Sequence, residues 1–502
     1  MAGELGVVCV RTAALRGVEP VPVTVEISVG GGLPQISIVG KPDNSVLESR
    51  SRIRCAFRAC GFEMPRVGIT VNLTPVDLKK MGTGYDLPIA VGLLVATGQV
   101  SPSILDTAIF VGGVGLQGGI SPVRGEVAFA ELAASQGLDL VVSSSSAIPR
   151  MSECRVLGLQ SLVQLREGLC YLSAPVGGPD GILDDDAFGD ELDFADVADQ
   201  EIPKRAMVIA ATGGHGVLMV GPPGAGKSML AKRLPTILPP LSESEMGEAL
   251  LVHSAAGLPV DLIAAGRRPF RAPHHSISPG GLVGGGRPVA PGEISLAHCG
   301  VLFLDELPEF ATNTLQSLRQ PMEDHEVRLV RVDGVYTFPC NFQLVAAANP
   351  CPCGHYGDPG RPCKCAPARV VSYQNKIGGP LMDRIDVVCD VARPASNKVI
   401  QHSSGLGSDA MREKVMQGRE YASWRLAREA EGGAAADSVG GARFTPKARS
   451  MFEGHAERLL LGGRGIVRVA RVSRTIADLA EHELVDVDDV MEALGFRSRA
   501  MG

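Results

Sequence analysis

The spacing of apolar and polar positions changes along the chain, and each spacing predicts a different element. Between Val21 and Thr74 the segments VPVTVEISVG, PQISIVG and RVGITVNL alternate apolar and polar residues, the pattern of half-buried strands. The intervening DNSVLESRSRIRCAFRACGF reads as a helix. Val46, Ile53, Phe57 and Cys60 share its apolar face, Asn44 or Ser45 is the expected cap, and Gly61 the stop. Arg50, Arg54 and Arg58 stand at i, i+4 and i+8 on that helix, either as a solvated face or as a contact for nucleic acid or another subunit. Residues 83–172 continue as mixed helix and strand. Unbroken apolar runs at 217–220, 301–304 and 343–348 predict strands buried on both faces, as in a parallel α/β sheet. From about Asn397 the pattern is helical, with a Gly/Ala-rich loop at 431–442, and no internal repeat is found.

A Pro/Gly-rich and then acidic stretch from about 174 to 196 interrupts these patterns and predicts a linker. Residues 184–201 hold nine Asp/Glu and no Lys/Arg, and without them the net charge of −7 becomes +2, so acidity does not exclude a nucleic-acid partner. The 502 residues, 45% hydrophobic and 21% charged, fit a folded chain of about three domains. The longest apolar run, near Leu87 to Ala96, is about half of the roughly 20 residues a membrane-spanning helix needs, so no membrane partner is expected. The N-terminal MAGELGVVCVRTAALRG lacks the features of a secretion signal, which predicts a cytoplasmic protein with reduced cysteines.

Candidate chemistry gathers at the ends of the apolar runs. GPPGAGKS (Gly221, Pro222, Pro223, Gly224, Ala225, Gly226, Lys227, Ser228) follows GVLMV and precedes a helix, the setting of a phosphate-cradling loop. Its backbone N–H groups would hold phosphates, Lys227 would reach the β- and γ-phosphates of ATP, and Ser228 would ligate Mg²⁺. GVLFLDELPEF brings Asp305 and Glu306 to the carboxyl end of a strand, Asp305 for the Mg²⁺ shell and Glu306 as the base that activates water. FQLVAAANP ends in Asn349, which could hold the lytic water or be a turn residue before Pro350. In GPLMDRID, Arg384 stands between two acids, an ordinary setting for a surface ion pair.

Together with FRAPHHSISPGGLVGGG, PGEISLAHCGVLFLDELPEF, LRQPMEDHEVRL, AAANPCPCG, NLTPVDLKKMGTGYDLPIAV and VARVSRTIADL, these blocks resemble the ComM/YifB-type, magnesium-chelatase-related AAA+ ATPases, in order over nearly the whole chain. The resemblance implies an α/β fold class: an N-terminal Lon-protease-like α+β domain of the ribosomal S5 domain 2 type over 1–173, an acidic linker over 174–191, a central AAA+ P-loop domain over 192–394 with a Cys-rich insertion at 351–365, and a C-terminal helical lid over 395–502. It also implies a homo-oligomeric ring, expected to be a hexamer, that uses ATP and Mg²⁺ to drive branch migration or translocation of DNA in recombination or transformation. By motif, Asn349 would be sensor 1, Arg384 the arginine finger that reaches a neighbour's ATP, and Arg464 the sensor 2 arginine. The chain has Asp199-Gln200 where the family usually has Gly-Gln, near the adenine pocket. It has Ile466-Val467 in place of an aromatic-His pair, which leaves Arg468 and Arg471 as alternatives to Arg464.

Two segments are candidates for the ring pore: the glycine-rich SPGGLVGGGRP, and EVRLVRVDGVYTF, a hairpin with Asp333-Gly334 as its turn and Arg328 and Arg331 available for phosphates. The hairpin is equally compatible with a purely structural part. Residues 443–474 carry eight Lys/Arg against two Glu, and one Trp among 4% aromatics argues for phosphate tracking over base stacking. Cys351, Cys353, Cys363 and Cys365 form two Cys-x-Cys pairs able to close a structural Zn²⁺ site, or else stand as free thiols or a redox pair.

Three rival functions remain: a protease, a magnesium-chelatase-like motor subunit, and an AAA+ remodelling ATPase acting on proteins. Peptidase activity is not expected, because the nucleophile position falls on or near Gly84 and SPVRGEVAFAELAA has no lysine.

Overall fold

The structure is a computed structural model. It describes residues 7–149, 154–175, 192–358, 360–377, 379–382, 384–395, 397, 405–432 and 439–497. Of the linker expected over 174–191, residues 176–191 lie outside the described residues, as does 433–438 of the Gly/Ala-rich loop.

Alternation along Glu19–Gly30 sends Val23, Val25 and Ile27 inward, and the strand pairs antiparallel with Val8–Arg16 on one side and Gly68–Thr74 on the other. Ile36–Val39 completes the four-stranded sheet by pairing parallel to Gly68–Thr74. The helix Asn44–Ala59 buries Val46, Ile53, Phe57 and Cys60, the residues its spacing assigns to the apolar face, while Arg50, Arg54 and Arg58 are exposed. The expected cap is corrected by one position. Asp43 is the N-cap, because its Oδ1 accepts the Val46 N–H at 2.9 Å, which neither Asn44 nor Ser45 can do from inside the first turn.

The apolar run at Leu87 to Ala96 forms the helix Asp86–Ala96, enclosed nearly all round in this core. Among the described residues no helix is long and apolar enough to cross a membrane. At the head of that helix Asp86 is fully buried. Its carboxylate takes a two-pronged contact from Arg52, Nε to Oδ2 at 2.6 Å and Nη2 to Oδ1 at 2.9 Å, which keeps the buried charge paired.

The second sheet has five parallel strands in the order Phe270–Arg271, Val301–Leu304, Gln343–Ala348, Val217–Val220, Val387–Asp390. Alternate residues face opposite layers. Val217, Met219, Phe303, Val345 and Ala347 join a core completed by the helices Glu201–Gly213 and Lys227–Ile237. Leu218, Leu302, Leu304, Leu344 and Ala346 join another, with Phe338 and Leu282. Burial on both faces is why these strands read as unbroken apolar runs, each fully buried Val, Leu or Phe contributing about 1.5–3 kcal/mol.

C-terminal to the sheet come the helices Ser408–Gly432, Pro446–Arg458, Gly463–Leu479 and Val487–Gly495. Ser408–Gly432 packs on Glu201–Gly213 and Lys227–Ile237. Its Arg425 and the Arg474 of Gly463–Leu479 share the buried carboxylate of Asp478. His215, buried beneath the sheet, bridges Asp386 at 2.9 Å and Thr475 at 2.8 Å, so the helical part is hydrogen-bonded to the strand layer.

Candidate ATP site

The carboxyl ends of Val217–Val220, Val301–Leu304 and Gln343–Ala348 open on one side of the sheet, where ligands bind in open α/β folds. The cavity there measures about 360 Å³ and is lined by Pro223 to Met229, Asp305, Glu306, Ala348 and Asn349. Gly221 turns the chain beside Val391, whose carbonyl oxygen would lie 2.1 Å from a Cβ at this position. Gly226, at φ +96°, takes the left-handed conformation that aims the first turn of Lys227–Ile237 at the cavity.

Lys227 is buried, and its ammonium donates to Gly221 O at 2.6 Å, Pro222 O at 3.1 Å and Asn349 Oδ1 at 3.1 Å. Burial pushes this ammonium below the ordinary lysine range, while Asp305 and Glu306 pull it back up. Because Oδ1 of Asn349 accepts from Lys227, the amide N–H₂ is left to donate elsewhere. Ser228 Oγ donates to Asp305 Oδ2 at 2.6 Å, so a hydroxyl and a carboxylate of the kind Mg²⁺ prefers already stand side by side. The donor set therefore fits Mg²⁺.

Glu306 sits in the left-handed region at φ +51°, with its N–H on Asp305 Oδ1 at 2.9 Å. That turn carries a half-exposed carboxylate past Asp305. Its Oε2 lies 3.3 Å from Nδ1 of His275, a residue in the loop after the edge strand Phe270–Arg271. His275 stacks at 4.1 Å on His274 and meets the ring of Phe310 edge-on. The linear pattern of FRAPHHSIS assigns neither histidine a role. Two adjacent histidines ahead of a glycine-rich loop were the available signal.

Gln200 reaches the same loop from behind, its amide donating to Ala225 O at 3.2 Å and Ala392 O at 2.7 Å. Asp199 holds φ +55°, a conformation that favours glycine, and uses its carboxylate to accept the Ala395 N–H at 3.1 Å.

Gly221 and Pro222 enter the loop just before the lining begins at Pro223, and two candidate arginines lie away from this cavity. Arg384 lies at the opposite, N-terminal end of Val217–Val220, its backbone beside Gly216, and its guanidinium pairs with Glu323 of Arg319–Asp324. Arg464 is exposed on the first turn of Gly463–Leu479. Of its alternatives, Arg471 is exposed, and Arg468 donates to Met382 O at 2.6 Å and Ile385 O at 3.1 Å, bracing the segment that carries Arg384.

Beyond Asn349 the chain enters the cysteine loop. Cys351, Cys353 and Cys363 have Sγ separations of 3.3, 3.7 and 3.6 Å, and with Cys365 all four sulfurs fall within 4.8 Å of one another. A tetrahedral site with Zn–S about 2.3 Å has sulfurs about 3.8 Å apart, so the cluster fits zinc. Backbone N–H groups of Lys364 and His355 help lower the Cys353 thiol to about 6, favouring the thiolate. The loop packs on the phosphate loop, since a Cβ on Gly354 would lie 2.5 Å from Pro223 Cδ. Protein purified without added metal is expected to carry about one zinc per chain by elemental analysis, and Cys363→Ser to lower both zinc content and melting temperature. A second grouping, Glu248, His298 and Cys299, does not fit a metal. His298 Nδ1 accepts the Asn341 N–H and its Nε2 bonds Glu248, so neither ring nitrogen has a lone pair to give.

The hairpin Glu326–Arg331 and Gly334–Pro339 forms as expected, with its turn corrected to Val332-Asp333, because Arg331 pairs directly with Gly334. Arg331 reaches the glycine-rich loop: a Cβ on Gly285 would lie 3.1 Å from its Nη2.

Residues 193–399 match the family described as magnesium chelatase, subunit ChlI. Residues 25–146 match subunit ChlI of Mg-chelatase, and 405–497 the ChlI C-terminal family. The chain is 37% identical over 499 residues to YifB of Salmonella typhimurium, covering 97% of this chain and 96% of that one. It is 38% identical over 496 residues to the Mycobacterium tuberculosis protein Rv2897c, and 36% identical over 498 residues to the competence protein ComM of Haemophilus influenzae, each covering 97% of both chains.

Proposed function

This chain belongs to the ComM/YifB family of magnesium-chelatase-related AAA+ ATPases, and from that membership we propose that it is a ring motor that moves DNA, in branch migration or translocation. The observation that carries the ATPase half is the convergence of Lys227 on Asn349 and of Ser228 on Asp305 at one cavity. In this reading Lys227 and the loop N–H groups hold the phosphates, and Ser228 and Asp305 would hold Mg²⁺, which would supply neutralisation of phosphate charge. Asn349 orients the attacking water and Glu306 takes its proton. Residues 1–173 would be the Lon-like domain, 192–394 the AAA+ domain and 395–502 the lid of a cytoplasmic hexamer.

DNA as the substrate is supported by the name of the competence relative and by the meeting of Arg331 with the glycine-rich loop, which joins both pore candidates in one surface. Forked or four-way DNA is expected to raise the ATP turnover rate several-fold, with a response that weakens steeply as salt rises. A motor serving porphyrin metallation, the reading the ChlI family name favours, would instead respond to protoporphyrin with chelatase subunits and be indifferent to DNA.

A further inference from the structure

A second cavity, of about 800 Å³, plays no part in the nucleotide chemistry. It lies between the two halves of the chain. Gly84, Val123 and Glu126 line it from the N-terminal half, and Leu258, Val289 and Tyr336 from the ATP-binding half. The halves are hydrogen-bonded at its wall, Gly125 N–H to Ser254 O at 2.9 Å and Val127 N–H to Ser254 Oγ at 3.3 Å. Its volume is that of a small-ligand site.

Glu126 begins the helix Glu126–Ser135 and is only 6% exposed. Its Oε1 accepts two hydrogen bonds, from the Val123 N–H at 3.0 Å and the Ser146 hydroxyl at 2.8 Å. Among the described residues no hydrogen bond is made to Oε2, and Oε2 is not among the buried side-chain atoms left without a partner, so this oxygen remains accessible on the cavity wall that Glu126 lines. Burial raises this acid to about 6, so at neutral pH the group is mostly an anion. No described cation pairs with it: Arg124 and Lys79 line the same cavity but are exposed. A carboxylate held in place through one oxygen, with its other oxygen accessible in a partly apolar cavity and no cation paired to it among the described residues, is preorganised to accept a charge-assisted hydrogen bond from a cationic ligand.

We propose that this cavity binds an amphipathic amine, whose ammonium group sets against Glu126 Oε2 and whose apolar body lies along Val123 and Val289. The same chemistry is offered by a free alkylamine or by the lysine side chain of an extended peptide. An occupant would touch the Gly334–Pro339 strand at Tyr336 and the segment after the glycine-rich loop at Val289, tying the N-terminal half to both pore candidates.

The test is calorimetric titration of the full-length protein with hexylamine, 1-hexanol, and two acetylated, amidated tripeptides, Ala-Lys-Ala and Ala-norleucine-Ala. Hexylamine is expected to bind at least about tenfold more tightly than hexanol, the size of a charge-assisted hydrogen bond. Glu126→Gln should erase that preference, since the amide oxygen still accepts both internal bonds while its N–H₂ repels an ammonium. Gly84→Leu supplies a second variant: a Cβ there meets nothing nearer than Val111 Cγ1 at 3.6 Å, so the side chain can fill the cavity without backbone strain and abolish amine binding. Tighter binding of the lysine peptide than of hexylamine identifies a peptide as the source, and the reverse a free amine. The proposal is overturned if hexylamine does not bind, if it binds no better than hexanol, or if Glu126→Gln or Gly84→Leu binds it as the unaltered protein does.

Discussion

Glu306→Gln protein is expected to bind ATP with unaltered affinity and to hydrolyse it at least about a hundredfold more slowly, the usual contribution of a positioned general base. The amide keeps the shape and the reach toward His275 but cannot take a proton from water. Lys227→Ala is expected to fail earlier, at binding, because among the described residues the ammonium is the only basic side chain lining the cavity. A fluorescent nucleotide titration and a phosphate-release assay separate the two: retained affinity with lost turnover for Glu306→Gln, weakened affinity for Lys227→Ala. Normal turnover by Glu306→Gln would remove Glu306 from the mechanism.

The placement of that carboxylate could be read from sequence only in part. Four apolar residues before Asp305 announce a strand buried on both faces, and a loop rich in glycine before Lys227 announces where phosphates sit. These signals are local, so they survive in a single sequence. The edge strands were not legible: Phe270–Arg271 is two residues long, and Val387–Asp390 ends in an acid, so neither offers a run long enough to stand out. Residues acting across the fold were equally silent. His275 meets Glu306 only because adjacent strands bring their ends together, and Arg52 is called into the core by Asp86, 34 positions away. The cysteines lie between these cases. Their number and pairing are written in the chain, whereas the approach of Cys363 to Cys351 depends on how the loop folds back on Pro223.

Arg384→Ala is expected to bind ATP yet lose most of its turnover, by a factor on the order of a thousand if it acts as an arginine finger. It cannot serve the site of its own chain. It stands beside Gly216, and the phosphate loop begins five residues on, about 16 Å away at about 3.3 Å per residue, farther than an arginine side chain extends. A neighbour in a ring removes that distance, and the pairing with Glu323 would have to open for the guanidinium to reach across. Mixing provides the decisive measurement, because Arg384→Ala and Lys227→Ala chains are each inactive alone. Combined in equal amounts, an Arg384→Ala subunit can offer its intact phosphate loop to the intact Arg384 of a Lys227→Ala neighbour. Random assembly in a head-to-tail ring makes about a quarter of the interfaces complete, so turnover is expected to return to about that fraction of the unaltered rate. Mixtures that stay as inactive as their components, or unaltered protein that remains monomeric with ATP and DNA while hydrolysing at full rate, would show that each chain completes its own site.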